Sequence, residues 1–262
     1  MHSAFSRDSE VSAPARGALG ASLFVYTGVF AAAQILVATG SPVLGAAIAA
    51  ILVLVLANHS IHARRPSDQA AYAGLALVPL VVLVRQVLAV GIGTPEPEHV
   101  VWAVTLVLAA SLAMRRLGGS STQPRTLAGD WSAGAVIVVS GPAFGLGAYA
   151  VAFSAAGTDS IAISQEAAAL LLVSVAAEEV LFRGAVQRAL TRAAGQRGMA
   201  LTVLLFVLAY LNFEPHGYAA VVAAAGTAFS LAVASNAPLI AVVGARVLMT
   251  VTIISLLPRL PT

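Results

Sequence analysis

Long apolar segments alternate with short polar breaks along almost the whole chain. A helix needs roughly 20 mostly apolar residues to cross a bilayer. Segments that reach or approach this length are 19–39, 43–62, 70–92, 99–115, 132–156, 165–188, 199–212, 217–234 and 237–257. The seventh of them is short, so it either tilts or ends inside the membrane. The pattern predicts an all-α fold, a polytopic transmembrane helix bundle of about eight or nine spans.

The breaks also divide the chain into regions. The longest polar break is "LGGSSTQPRTLAGD" at 117–130, and it separates four apolar segments from five. The opening stretch "MHSAFSRDSEVSAPAR" is polar and has no apolar core of a signal peptide. The predicted regions are a flexible cytoplasmic tail (1–16), a four-span region (17–117), a polar linker (118–131) and a helical core (132–258).

Composition supports a membrane protein. Hydrophobic residues make up 59% of the chain, charged residues 10%, and the mean hydropathy is +0.92. A soluble domain carries about 25% charged residues. The absence of Cys excludes disulfides, thiolate metal sites and cysteine nucleophiles. The basic pI near 9.8 needs no nucleic-acid partner, because basic loops beside a lipid bilayer explain it.

Arginine is concentrated in every second loop. The arginine-containing tail and loops carry Arg7, Arg16, Arg64, Arg65, Arg115, Arg116, Arg125, Arg188, Arg192 and Arg197. The loops between them carry only acidic charges: Glu96, Glu98, Asp159 and Glu214. This alternation predicts a cytoplasmic N-terminus. Nine spans would place Arg259 outside, so either one short span does not cross or a single terminal arginine is tolerated.

Charged residues interrupt the sixth apolar segment at "SVAAEEVLFRGAVQ". An ionised side chain at the membrane centre costs about 2.5–3.5 kcal/mol or more, so such residues usually face the protein interior and mark a site. Glu179 and Arg183 are four residues apart on one helix face, which predicts a structural ion pair. Glu178 points about 100° away, so it is free to act as a general base. The alternative is a buried ion pair with a second glutamate that only sets helix packing.

The stretch "EEVLFRG", with Glu178, Glu179, Arg183 and Gly184, resembles the first motif of the CPBP family. These proteins, also called the ABI or CAAX-protease family, are intramembrane glutamate-dependent metalloproteases, and many are bacterial membrane proteins. The resemblance covers about 165–258 and implies an integral protein of a bacterial plasma membrane. It also implies an endopeptidase that acts on membrane-embedded or membrane-proximal peptides or proteins.

The second and third family motifs are altered. Phe206 matches the second motif, Phe-x-x-x-His, but Tyr210 stands at its histidine. In the third motif Arg246 stands at the histidine and Thr250 at the asparagine. The resemblance implies that the first glutamate and the histidines organise a divalent metal (zinc) or a polarised water, and that the asparagine stabilises the oxyanion.

These replacements change the expected chemistry. Arg246 is always protonated and cannot ligate a metal, and we expect it to hold Glu178 in an ion pair. Thr250 retains one hydroxyl that can donate a hydrogen bond to a substrate. We therefore predict a retained scaffold with a largely replaced catalytic set.

Other polar residues give weaker signals. His59 and His62 share a helix face and form either a metal-binding pair or an interfacial pair. His216 lies in the loop "NFEPHGY" and is either a ligand or a solvated side chain, while His2 and His99 follow no pattern. Arg85, within an apolar segment, is expected to pair with a buried carboxylate rather than to snorkel or line a cavity.

Three functions remain open. The first is a CPBP-type endopeptidase in which Glu178 activates water and Glu179 with Arg183 fixes the helix. Tyr210, Arg246 and Thr250 would then form a variant site. The second is a non-catalytic relative that binds a membrane peptide or a partner protein. The third is a small transporter or channel component, against which the absence of an inverted repeat counts.

Overall fold

The structure, a computed structural model, describes residues 13–91, 95–117, 129–153, 164–212 and 216–256. Side chains are described within 19–88, 100–117, 129–151, 164–212 and 218–256. Every regular element in these ranges is helical, which confirms the predicted all-α fold. The α-helices are α1 (Ala13–Ala38), α2 (Pro42–His62), α3 (Pro66–Gly91), α4 (Pro95–Leu117), α5 (Trp131–Ala148), α6 (Gln165–Glu179), α7 (Gln187–Ala194), α8 (Gln196–Tyr210), α9 (His216–Ala234) and α10 (Leu239–Leu256).

Most of the predicted spans are long and apolar enough to cross a membrane. Among the described residues six meet both conditions: Leu19–Ala38, Pro42–His62, Pro66–Leu88, Val100–Leu117, Trp131–Val151 and Leu239–Leu256. α8 and the Tyr218–Ala234 part of α9 are apolar but shorter. With 15 residues, α8 is about 22 Å long, less than the roughly 30 Å of a hydrocarbon core.

Within the described ranges, two π-helical segments interrupt the α-helical geometry. One, Tyr149–Phe153, follows α5, and the other, Val180–Val186, joins α6 to α7. The predicted sixth span (165–188) is thus part of a longer helical run whose central turn is wider than an α-helical turn. π-helical turns of this kind are frequent at functional sites.

Glycine allows close packing of α10 against α5. A Cβ on Gly141 would collide with the backbone of Ala245, and one on Gly145 would lie 2.6 Å from the Met249 carbonyl oxygen. Small residues let helix backbones approach in this way inside a bilayer. The contact holds α10, which carries Arg246, against the bundle next to α6.

The boundaries of the predicted regions differ slightly from the helix ends. α1 begins at Ala13, inside the predicted tail, because Pro14 is tolerated in a first helical turn. Trp131, the last residue of the predicted linker, is the first of α5. Asp130 caps that helix, and its backbone N–H donates to the Asn236 carbonyl oxygen at 2.8 Å. Residues 1–12 of the tail and 118–128 of the linker lie outside the described residues.

Candidate functional site

Glu178 and Glu179 are the last two residues of α6, and Arg183 of the same motif lies in the π-helical segment that follows. Despite the wider turn, Arg183 Nε is 3.4 Å from Glu179 Oε2, and both side chains are fully buried. The predicted ion pair between Glu179 and Arg183 is therefore present.

Arg183 also has partners on the neighbouring helices. Its Nη2 donates a hydrogen bond to the Gly226 carbonyl oxygen of α9 at 3.1 Å. Its guanidinium carbon lies 4.4 Å from the ring centroid of Phe206, within the range of a cation–π interaction. Phe206 in turn meets Phe182 edge to face, with centroids 4.9 Å apart. Phe206, which matches the family's second motif, thus supports the arginine of the first.

Glu178 is engaged by the residue that stands at the family's histidine. The Tyr210 hydroxyl donates a short hydrogen bond to Glu178 Oε2, and Arg246 Nη2 donates to the Tyr210 hydroxyl at 2.8 Å. The side chains form a chain of donors from α10 through α8 to α6. All three are buried, although Glu178 keeps 7% exposure while Arg246 keeps 1%.

The prediction of an ion pair between Arg246 and Glu178 is wrong. Arg246 reaches Glu178 only through Tyr210, because the tyrosine hydroxyl lies between the two groups. The carboxylate that Arg246 approaches directly is Glu179, with Nε 3.9 Å from Oε1. A further Arg246 nitrogen, Nη1, lies 3.2 Å from the sulfur of Met249.

The Thr250 hydroxyl donates one hydrogen bond, and its acceptor is a backbone carbonyl; whether it serves a substrate stays a prediction. Its Oγ1 donates to the carbonyl oxygen of Arg246, one turn earlier in α10, at 3.0 Å. This is a common arrangement for threonine inside a helix. The residue at the family's asparagine therefore uses its donor within its own helix.

The cluster is balanced in charge. Two carboxylates, Glu178 and Glu179, face two guanidinium groups, Arg183 and Arg246, and all four side chains are buried. Both Glu179 oxygens lack a hydrogen-bond donor of good geometry within the described residues, so Coulomb attraction holds this carboxylate. A buried pair of this kind is strongly destabilised when one partner is removed.

The donor set does not fit the divalent metal that the family resemblance implies. Among the described residues no group of three or more His, Cys, Asp or Glu could hold a metal ion. The Tyr210 proton is directed to Glu178, and the fixed charge of Arg246 would repel a cation. The residues of this cluster are therefore unsuited to hold a divalent metal.

The weaker predictions have different outcomes. His59 Nδ1 lies 2.8 Å from the Val55 carbonyl oxygen and His62 Nδ1 lies 2.9 Å from that of Asn58. Each Nδ1 thus lies beside a carbonyl oxygen of its own helix, and the choice between a metal-binding pair and an interfacial pair stays a prediction. The Arg85 guanidinium lies 5.4 Å from the ring centroid of Trp102, and its pairing with a carboxylate stays a prediction. The side chains of His2, His99 and His216 lie outside the described ones.

Sequence reasoning missed several polar neighbours of the cluster. The Tyr218 ring lies 6.2 Å from that of Tyr210. Gln187 Nε2 donates to the Ser230 carbonyl oxygen at 3.0 Å, one turn beyond the contact between Arg183 and Gly226. The position of Gln187, four residues after Arg183 in an apolar segment, was a signal that could have indicated it.

The fold and the cluster define a polytopic helical membrane protein with a buried glutamate–arginine centre. The family model described as type II CAAX prenyl endopeptidase Rce1-like matches residues 160–252. That segment includes the two-glutamate motif and both altered motifs, so the resemblance to the CPBP family is confirmed there. No curated protein and no solved structure matches the chain.

Proposed function

We propose that this protein is a non-catalytic relative of the CAAX prenyl endopeptidases, and that it binds a membrane peptide or partner protein without cleaving it. The observation that carries the proposal is the hydrogen bond from Tyr210 to Glu178, supported from behind by Arg246.

A general base must accept a proton from a water molecule within hydrogen-bond reach. In this protein one oxygen of Glu178 already accepts a hydrogen bond from the Tyr210 hydroxyl. Arg246 donates to the same tyrosine hydroxyl, which favours that orientation of the proton. The second oxygen of Glu178 is the one left to a water molecule, and the Thr250 hydroxyl donates within its own helix rather than towards an oxyanion.

The remainder of the motif supports a rigid binding frame. Arg183 ties α6 to α9, and Arg246 ties α10 to α8. Charged residues inside a membrane raise the free energy of insertion, so those that occur there usually face the interior of the helix bundle and have a functional role. The name of the matched family makes a prenylated peptide ending in a CAAX sequence the first ligand to test.

The test compares wild-type protein with Glu178→Gln in proteoliposomes. We expect a photoreactive prenylated CAAX peptide to crosslink saturably to both proteins, and we expect no cleavage above that of empty liposomes. Cleavage by wild type that Glu178→Gln abolishes would contradict the proposal.

A second candidate is an endopeptidase with a variant site. The 7% exposure of Glu178, against 0% for Glu179, favours it because water can still reach the first carboxylate. This candidate predicts that Tyr210→Phe, which frees Glu178, increases hydrolysis of the same peptide. The non-catalytic proposal predicts no hydrolysis in either protein.

A further inference from the structure

Exposed arginines gather at one end of the helix bundle. Besides Arg192 of α7, they are Arg64 and Arg65 between α2 and α3, Arg115 and Arg116 at the end of α4, and Arg197 at the start of α8. Direct contacts join these helix ends. The Arg192 guanidinium of α7 donates to the Leu117 carbonyl of α4, and a Cβ on Gly20 of α1 would lie 4.0 Å from Arg197 Nη1.

Within the part of the chain that the structure describes, none of these five arginines forms an ion pair with a carboxylate, in contrast to Arg183 and Arg246, which both lie beside Glu179. Their charge therefore faces outward, towards whatever lies beyond this end of the bundle.

Helix dipoles account for some of these arginines but not for others. Cations are favoured at a helix C-terminus, which explains Arg115 and Arg116 in the last turn of α4. Arg197 is the second residue of α8, where the positive end of the dipole disfavours a cation. Arg64 and Arg65 lie between the C-terminus of α2, which favours a cation, and the N-terminus of α3, which disfavours one and carries Asp68 in its first turn. The dipole of its own helix thus opposes Arg197, and an external anion would compensate this charge.

Aromatic side chains with polar tips lie on α1, α2 and α3, and the last two of these helices are joined by Arg64 and Arg65. The Tyr72 hydroxyl lies 3.0 Å from Ser22 Oγ, and the Tyr26 hydroxyl lies 3.3 Å from His59 Nε2. The three rings have centroids 5.4–6.3 Å apart, and the residues are half-buried. Tyrosines with this mixed character concentrate at the headgroup level of a bilayer.

Apolar side chains flank the same corner. Ile61, next to the end of α2, is 75% exposed, and Val25 on α1 is 64% exposed. The corner of α1, α2, α3 and α8 thus combines a cationic rim, aromatic residues with polar tips and an apolar flank. A phospholipid combines an anionic phosphate, a polar glycerol region and apolar acyl chains.

We propose that this corner binds the headgroup of an anionic phospholipid. Arg64, Arg65 and Arg197 contact its phosphate, and an acyl chain lies against Ile61 and Val25. Basic residues near a membrane surface attract anionic lipids in this way. The proposal is independent of whether the glutamate cluster cleaves or binds a peptide.

The test is a titration of purified protein in detergent with phosphatidylglycerol or phosphatidylcholine, followed by native mass spectrometry. Wild type is expected to bind phosphatidylglycerol in preference to phosphatidylcholine. Arg64→Gln/Arg65→Gln is expected to weaken phosphatidylglycerol binding by about fivefold for each arginine removed. Arg115→Gln/Arg116→Gln removes the same charge from α4 and is expected to leave that affinity within about twofold of wild type.

Equal weakening in the two double variants would overturn the proposal, because it would indicate diffuse attraction to the whole basic end. A wild type without preference for phosphatidylglycerol would overturn it as well. If Arg64→Gln/Arg65→Gln fails to fold, as judged by its unfolding temperature, Arg197→Gln against Arg116→Gln makes the same comparison with one charge each.

Discussion

Tyr210 determines the chemistry of the cluster at the scale of single residues. A phenol has one proton to donate and an oxygen that accepts. Its hydroxyl donates a hydrogen bond to Glu178 and accepts one from Arg246. The tyrosine and the arginine that stand at the two family histidines therefore match each other as acceptor and donor. The altered motifs therefore form one coupled polar unit rather than separate losses.

Removing the tyrosine hydroxyl should leave two buried polar groups unpartnered. We expect Tyr210→Phe to lower the free energy of unfolding by about 1–3 kcal/mol, measured by denaturant unfolding in detergent. Thr250→Val, which removes a hydroxyl bonded only within its own helix, is the control and should cost less. A Tyr210→Phe protein as stable as wild type would show that the hydrogen-bond chain does not stabilise the fold.

Charge balance makes a second prediction at this scale. Arg183→Met leaves two carboxylates facing one guanidinium, and we expect a loss of about 3–5 kcal/mol in the free energy of unfolding. Glu179→Gln/Arg183→Met leaves Glu178 facing Arg246, so the buried charge is again balanced. The double variant should be more stable than Arg183→Met alone. Additive losses in a double-mutant cycle would argue against coupling between the two side chains.

At the scale of elements, the position of α9 is set by a glycine. A Cβ on Gly226 would lie 2.6 Å from Phe206 Cδ1 and 3.1 Å from Arg183 Nη2. Both neighbours belong to the cluster, and the Gly226 carbonyl accepts a hydrogen bond from the same arginine. The contact between α9 and the π-helical segment therefore requires the absence of a side chain.

Gly226→Ala should displace the Phe206 ring and weaken its contact with Arg183. We expect a loss of about 1–3 kcal/mol in unfolding free energy. Gly28→Ala in α1 is the matched control, since a Cβ there meets nothing within 4 Å. The control should be neutral or stabilising, because alanine favours a helix more than glycine does. Equal effects of the two substitutions would contradict this account of the packing.

The start of α5 depends on pH. The Asp130 carboxylate accepts hydrogen bonds from the Ser132 side chain and from the backbone N–H groups of Ser132 and Ala133, which lowers the pKa of Asp130 below its usual 3.8. A lowered pKa in the fold means that the cap stabilises the protein above the unfolded pKa and loses this effect as pH falls through the folded one. Asp130→Ala should therefore lower the unfolding temperature near neutral pH and have less effect at an acidic pH well below 3.8, where the carboxyl group is protonated in the folded protein as well.

Asp130→Asn is the control for this prediction, since asparagine also caps helices but does not titrate in this range. Its unfolding temperature, relative to that of Asp130→Ala, should stay constant between the two pH values. A constant difference between wild type and Asp130→Ala would contradict a titrating cap.

Much of the architecture follows from hydropathy, whereas the details of the cluster do not. Segments such as 43–62 and 237–257 are visible because continuous apolar composition is a strong signal, and α2 and α10 lie almost where it predicts. The π-helical turn at Val180–Val186 has the same apolar pattern as an α-helix, so no periodicity identifies it. The partners of Arg246 and Thr250 depend on how the helices pack, and the apolar pattern of each single segment does not predict that packing.

At the scale of the whole molecule, two charge patterns are separated along the bundle. Exposed arginines occupy one end, and a set of two carboxylates and two guanidinium groups with no net charge lies inside. The outer pattern orients a membrane protein, and the inner one is compatible with burial only because its charges are paired. A divalent cation in the inner cluster would add charge beside Arg246, so the balance itself opposes a metal.

The zinc content of the purified protein tests this account most directly. Wild type, Glu178→Gln and Tyr210→His/Arg246→His would be incubated with zinc in detergent, freed of unbound metal and measured by elemental analysis. We expect no stoichiometric zinc in wild type or Glu178→Gln, with the two-histidine variant as the case designed to bind it. One zinc per wild-type chain that is lost in Glu178→Gln would contradict the account, because the cluster would then be a metalloprotease centre.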